Sequence, residues 1–244
     1  MGTVSNRTDG FGAQFQTLIY GIVILENKGE VYYHTPIESM AHNYDNDPEF
    51  LNKIEELMNI KNNYKCITDA SNVNVKVYNY VNLINIFEKS MNMYLSCPSL
   101  KNIKMNFWKN KERDFFKNNN LNVAVHIRRE NKYDITLEPS RICPLVYYFN
   151  LINKIREKYK NNDKKLLFHI YSQNDIKNYK RYDNSDLCFH LNENLSDSFI
   201  GLVAADILVT SKSSFSYVAA ILSDGEIYYT PFWHPPSKNW IVCN

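Results

Sequence analysis

The sequence predicts an α/β fold made of two halves with parallel sheets, residues 1–120 and 121–244. Three observations carry that expectation. Residues 3–34 read as strand, glycine turn, apolar helix and strand within about thirty residues, the unit of an α/β layer fold. The second half repeats strand and helix in alternation, which calls for right-handed crossovers and a parallel sheet. Cationic and hydroxyl-bearing residues gather where those strands end, at HIRR, YSQ, HLN and TSKSS.

Composition narrows the class. The chain has 244 residues, enough for one large domain or two small ones. Hydrophobic residues make up 44% and charged residues 22%, and the net charge is +2. A chain that tracks a phosphate backbone carries a strong basic bias, so no nucleic-acid partner is expected. The five cysteines are odd in number and widely spaced, with no CxxC pattern. Neither a disulfide framework nor a zinc site is expected, and a reducing, cytoplasmic setting fits. The opening residues 1–12 are polar, and no apolar run nears the roughly 18 residues of a membrane span. No membrane anchor is therefore expected.

Each element has its own justification. Residues 3–6 are β-prone, 9–12 (DGFG) form a turn, 13–26 are an apolar helix stopped at Gly29, and 30–34 (EVYYH) form a strand. Residues 48–60 place Phe50, Leu51, Ile54, Leu57 and Met58 at helical spacing, with Asp47 as N-cap. Strands are expected at 66–69 and 73–78, and helices at 80–94 and 101–116. The polar run 117–120 marks the boundary between halves. Beyond it, strands fall at 121–127, 165–171, 187–191, 207–210 and 226–229. Helices fall at 144–159, 175–182, 196–205 and 213–223. The Pro-rich tail packs on the body through Trp233 and Trp240, whose faces also suit sugars.

Three corners are built for an anion. In DGFGAQFQ, Gly10, Phe11 and Gly12 open a helix whose first N–H groups carry about half a positive charge. In VAVHIRRENK, a buried strand delivers His126, Arg128, Arg129 and Lys132 to its end. Arginine presents a planar, permanently charged fork that matches phosphate. Strand alternation puts His126 and Arg128 on one side and Arg129 on the other. In TSKSSFSYVAA, Ser211, Ser213, Ser214 and Phe215 join a buried strand to an apolar helix. Parallel strands bring such corners together, which points to a phosphorylated ligand.

In this order the three motifs resemble the fucosyltransferases of the HxRR superfamily, which act on α1,2, α1,6 and protein O-linkages. DGFGAQFQ is similar to the family's GGxGNQxxQ segment, HIRRENK to its HxRR motif, and ADILVTSKSSFSYVAA to its carboxyl-terminal serine motif. HIRRE stands where HxRRGD is commoner. The resemblance implies a GT-B-like fold of two Rossmann-like halves facing across a cleft, the first for the acceptor and the second for a nucleotide sugar. It implies that Arg128, His126 and Lys132 hold the donor diphosphate and that Ser213 and Ser214 bind phosphate oxygens. Asp197 would reach the base or ribose, and Gly10 and Gly12 would line the cleft. Ser172 and His190 end neighbouring strands and join the candidate donor set. The resemblance also implies inversion at the anomeric carbon with no metal and no cofactor.

The expected partners are a nucleotide diphosphate sugar, GDP-fucose first, and a glycan acceptor. Such a chain suits a cytoplasmic glycan pathway of a bacterium or a large virus. A carboxylate is wanted for the acceptor proton, and Asp9, Asp69, Asp134 and Glu138 are candidates. Asp69 closes a first-half strand and Asp134 follows HIRR. Alternatives are a UDP sugar such as UDP-xylose, a non-catalytic nucleotide-binding module, and a metal enzyme using the DxD of Asp45 and Asp47.

Overall fold

The computed structural model describes every residue except 44, 45, 71–73, 131–138, 174, 183 and 244, and the side chain of 181. The chain divides into two compact units, Met1–Glu112 and Arg113–Asn244.

In the first unit, β1 (Gly2–Val4) and β2 (Lys76–Tyr78) pair in parallel. Around them lie α1 (Phe11–Asn27), α2 (Phe50–Met58), α3 (Tyr80–Lys89), α4 (Met91–Leu95) and α5 (Pro98–Trp108). Helix α1 is apolar on nearly every side and is accordingly buried along most of its length. Tyr20 stacks on Phe87 at 3.7 Å between ring centroids. Gly21 admits β1, since a Cβ there would lie 2.2 Å from Val4 Cγ2.

Four first-unit elements depart from the expectation. Residues 30–34 form only isolated parallel bridges, Gly2↔Tyr32 and His34↔Cys66. There His34 turns its ring inward to Glu55, Nε2 to Oε2 at 2.9 Å. The strand expected at 66–69 is that bridge followed by a 3-10 turn, Ile67–Asp69. Asp69 Oδ2 accepts from the Cys66 N–H at 3.0 Å, a local bond that competes with strand pairing. The helix expected at 80–94 breaks at Ser90 (φ −123°, ψ 27°) into α3 and α4. The helix expected at 101–116 starts earlier, at Pro98 with Cys97 as its cap, and stops at Trp108. Lys109 is extended and Asn110 is left-handed (φ 63°), so the helix cannot continue.

The second unit carries one parallel sheet of β3 (Leu121–Ile127), β4 (Leu166–Ser172), β5 (Leu187–Leu191), β6 (Ile207–Val209), β7 (Glu226–Tyr229) and β8 (Ile241–Val242). Its helices are α6 (Leu145–Lys158), α7 (Leu195–Ala204) and α8 (Ser214–Leu222). The strand order is β5-β4-β3-β6-β7-β8. The chain thus builds outward from β3 to β5, returns to the far side of β3 with β6, and builds outward again. The reversal lies between β3 and β6. Ligands of such sheets bind beyond the carboxyl ends at that point.

Alternation divides the strand side chains between two faces. Tyr148, Ile152 and Ile155 of α6 cover Val123, Val125, Ile127, Phe168 and Ile170. Gly201 of α7 lies on Tyr171, where a Cβ would come within 2.0 Å of the phenol oxygen. The helix expected at 175–182 is two 3-10 turns, Ile176–Asn178 and Lys180–Tyr182. Asp175 caps the first, and the buried Tyr179 turns its hydroxyl to Ser172, 2.8 Å away. The tail does more than pack: β8 adds a strand to β7, and the Cys243 N–H donates to the Tyr229 oxygen at 2.9 Å.

Gly225, just before β7, faces the backbone oxygens of Ala205 and Asp206. A Cβ there would lie 2.5 and 2.6 Å from them. Gly225→Ala is expected to cost about 1–3 kcal/mol by overpacking, read as a lower midpoint in denaturant unfolding.

Candidate active site

The reversal between β3 and β6 sets HIRR beside TSKSS. His126, near the end of β3, is buried, and its Nδ1 lies 2.7 Å from Ser211 Oγ. Ser211 follows β6, is fully buried, and its N–H donates to Ser216 Oγ at 3.0 Å. The His126 ring also meets Phe215 of α8, 5.4 Å between centroids. Burial, and secondly the Arg128 charge, push the His126 pKa down to about 3. His126 is therefore a neutral hydrogen-bonding ring at physiological pH.

The two arginines diverge as alternation requires. The Arg128 charge acts on His126. Burial pushes the Tyr148 and Tyr179 phenols up, and the Arg129 charge opposes this on both, which sets Arg129 on the α6 side. Arg129 Nη1 also donates to the Arg128 carbonyl at 2.7 Å. Arg128 is half-buried on the His126 side of the strand end.

Ser213 caps α8, its Oγ accepting from the Phe215 N–H at 3.3 Å, and Ser214 is the first helical residue. Lys212, between Ser211 and Ser213, donates to the Ser140 carbonyl at 2.9 Å. Sequence reasoning passed over Lys212; its place between the two serines of the motif was the available signal. Ser172 lies among the same strand ends, but its hydroxyl is engaged internally. It donates to the Ile127 carbonyl at 2.8 Å and accepts from Tyr179 at 2.8 Å.

His190 belongs to a polar line across the same face as His126. Its Nδ1 is 2.8 Å from Glu193 Oε1 and its Nε2 is 2.9 Å from His169 Nδ1. His169 Nε2 reaches Asn122 Oδ1 at 3.1 Å. The ring of His190 stacks on Tyr171, 4.5 Å between centroids. Burial, then the neighbouring His190, pushes the His169 pKa down to about 4. Asp197 lies in the first turn of α7 and forms a reciprocal cap with Asn194: its N–H donates to Asn194 Oδ1 at 2.8 Å, and Asn194 Nδ2 donates back at 2.6 Å. The charges of Glu193 and Asp197 both add to the upward push that burial exerts on Tyr171.

In the first unit, Gly10 is the extended N-cap of α1, and Phe11 and Gly12 are its first two residues. His42 lies over Gly10, where a Cβ would be 2.9 Å from its ring. Arg7 forks onto Asp9, donates to Thr17 Oγ1 at 2.9 Å, and lies over the Tyr80 ring at 4.2 Å. Asp69 is exposed and caps its own 3-10 turn. The strand end that put it forward as a base is not there. Lys132, Asp134, Glu138 and Asp45 lie outside the described residues. Asp47 accepts from the Glu49 N–H at 2.9 Å and pairs with Lys53 at 2.7 Å. Among the described residues no group of three or more His, Cys, Asp or Glu is placed to hold a metal ion, and no helix is long and apolar enough to cross a membrane.

A parallel sheet whose reversal point carries a cationic strand end and a serine-capped helix is suited to hold an anion beyond the carboxyl ends of its strands. The chain belongs to Glycosyl transferase family 11, whose profile matches residues 40–238, and so to the fucosyltransferase-like enzymes. A search of curated proteins found no matching relative. Among solved structures, the E. coli heptosyltransferase WaaC with ADP-2-deoxy-2-fluoro heptose is similar, at TM-score 0.51 and 13% identity over 100% of this chain and 93% of that one. That likeness bears on the fold alone. Fucosyltransferase NodZ from Bradyrhizobium matches at TM-score 0.47 and 11% identity over 96% of both chains. The R284K mutant of Arabidopsis thaliana FUT1 in complex with GDP matches at 0.44 and 12%, over 94% of this chain and 71% of that one.

The two depressed histidines set an acid limit on stability. Each binds a proton in the unfolded chain near pH 6.5 but not in the folded one until about pH 3 for His126 and about pH 4 for His169. In that window the unfolded state holds more protons, so stability falls as pH falls. The unfolding constant is expected to rise up to about tenfold per pH unit for each histidine over this range. Denaturant midpoints taken from pH 7 to 4 check this, and His169→Gln should flatten the slope.

Proposed function

We propose that the protein transfers a sugar, fucose from GDP-fucose as first choice, to a glycan acceptor with inversion and without a metal ion. The observation that carries this reading is the 2.7 Å contact of His126 with Ser211, which ties the HIRR strand end to the serine corner across the sheet reversal. One anion can be reached from both motifs there. Family membership supports the reaction class; the HxRR resemblance supports the donor.

In the proposed reaction an acceptor hydroxyl attacks the anomeric carbon from the face opposite the leaving group. The bond from that carbon to the phosphate oxygen breaks, and its electron pair goes to the phosphate. Arg128, with Lys132, meets the developing charge, and the N-terminus of α8 with Ser213 and Ser214 adds dipoles already in place. A neutral His126 that takes the Ser211 hydroxyl on Nδ1 presents Nε2–H as a further donor. His190 and Asp197 serve the nucleoside end, and Ser172 holds the strand ends in register for them. The first unit, through Gly10, Phe11 and Gly12, serves the acceptor side. Of the two carboxylates considered for the acceptor proton, Asp69 and Asp134, the one offered is Asp134, since Asp69 caps its own turn.

Thermal melting with GDP, GDP-fucose, UDP, UDP-glucose and UDP-xylose tests the donor. A ligand that binds only the folded state raises the melting temperature. The expected outcome is a shift with GDP and GDP-fucose; a shift confined to the uridine compounds would replace fucose by a UDP sugar. Arg128→Ala is expected to lower turnover by about 10²–10³-fold, and normal turnover would remove it from the reaction. Ser214→Ala is expected to weaken donor binding by about 1 kcal/mol in calorimetry. Unchanged affinity would leave that serine as part of the helix start alone.

A further inference from the structure

Of the described Phe, Tyr and Trp side chains, Trp233 alone is exposed, at 55%. It lies four residues past the carboxyl end of β7, a strand of the sheet that carries HIRR and TSKSS. The Arg141 guanidinium covers one ring face at 4.7 Å. More than half of the residue stays open to solvent. Phe232 meets the indole edge-on at 4.9 Å and itself packs on Tyr217 and Tyr229. The indole is thus held by a buried aromatic hub and by a cation–π contact.

Arg141 is short of partners. Its Nε is buried without a hydrogen-bond acceptor. The adjoining Ser140 carbonyl is gripped by Lys212, which stands between Ser211 and Ser213. The Arg141–Trp233 pair is therefore tied to the serine corner through one hydrogen bond. A lone, braced, open indole beside a guanidinium asks for a ligand that is apolar on a face and rich in acceptors at its rim.

A pyranose ring answers to both demands: its axial C–H bonds make an apolar face, and its hydroxyls accept at the edge. We propose that Trp233 and Arg141 form a carbohydrate subsite that holds a pyranose ring of the acceptor glycan, stacked on the part of the indole that stays open and hydrogen-bonded at its rim by the neighbouring guanidinium. This rests on the reading of the protein as a glycosyltransferase acting on glycans. Indole is the aromatic side chain that supplies the largest rigid contact area, and single residues of this kind dominate binding sites where they occur.

Saturation-transfer NMR on the full chain with GDP tests the subsite, using lactose, cellobiose and chitobiose as probes. The ring protons of at least one disaccharide are expected to take up saturation. Trp233→Ala should cut that signal by about fivefold or more, as loss of a central aromatic anchor does, and Trp233→Phe should restore part of it. Arg141→Ala should weaken it as well. The melting shift with GDP, measured on each variant, reports that the fold and the donor side persist. No saturation of any disaccharide in the unaltered protein, or an unchanged signal in Trp233→Ala, overturns the subsite. A GDP shift without disaccharide binding would refute the subsite alone; no GDP shift at all would refute the donor reading.

Discussion

The rest of the second unit depends on one topological constraint, the reversal of strand order at β3. Because the chain returns to the inner edge of its own first strand, β3 has β4 on one side and β6 on the other. Two segments 85 residues apart, at His126 and Ser211, then end side by side and share a hydrogen bond. Without that return the HIRR cluster would be a charged strand end and the serines a helix cap. With it, the strand end that carries Arg128 and the start of α8 lie side by side.

The same sheet carries an unusual polar face across β3, β4 and β5. Asn122, His126, His169, Tyr171 and His190 share one side of the sheet. Burying such groups costs free energy unless each finds a partner, and the line Asn122–His169–His190–Glu193 supplies partners in sequence. The cost that remains is seen in the low pKa values of His126 and His169. Neutrality is useful beside Arg128, because a second positive charge so close would be paid for in stability. Gly201 completes the arrangement, since any larger residue on α7 would collide with Tyr171.

The first unit is braced differently. Its glycine turn is held by side chains reaching back to the backbone. Gln14 donates to the Asp9 and Ser39 carbonyls at 2.7 and 3.0 Å, and Arg7 anchors Asp9. Asp9, a carboxylate considered for proton transfer, is thus committed to an ion pair. Asp69 is engaged by its own turn. The first unit presents the Gly10–Gly12 corner, and its Asp9 and Asp69 are both engaged in local structure.

Sequence alone determined the strand–helix alternation of the second unit. Long apolar runs such as LNVAVHI and the helical period of 145–158 are local signals that burial enforces wherever the chain goes. It also determined the anion-seeking residue types at the strand ends and, through three motifs, the family. Short elements were not legible. The bridges at Tyr32 and His34, the 3-10 turns near Asp69 and Tyr179, and the two-residue β8 exist because distant partners or local side-chain bonds outweigh weak propensities. Contacts between remote residues were not legible either. The pairing of Ser211 with His126, the internal use of Ser172, and the bracing of Trp233 by Arg141 are set by which strands become neighbours. Only the tertiary structure decides that, because strand order follows from packing helices on both faces of a sheet, and no stretch of sequence encodes its own neighbours.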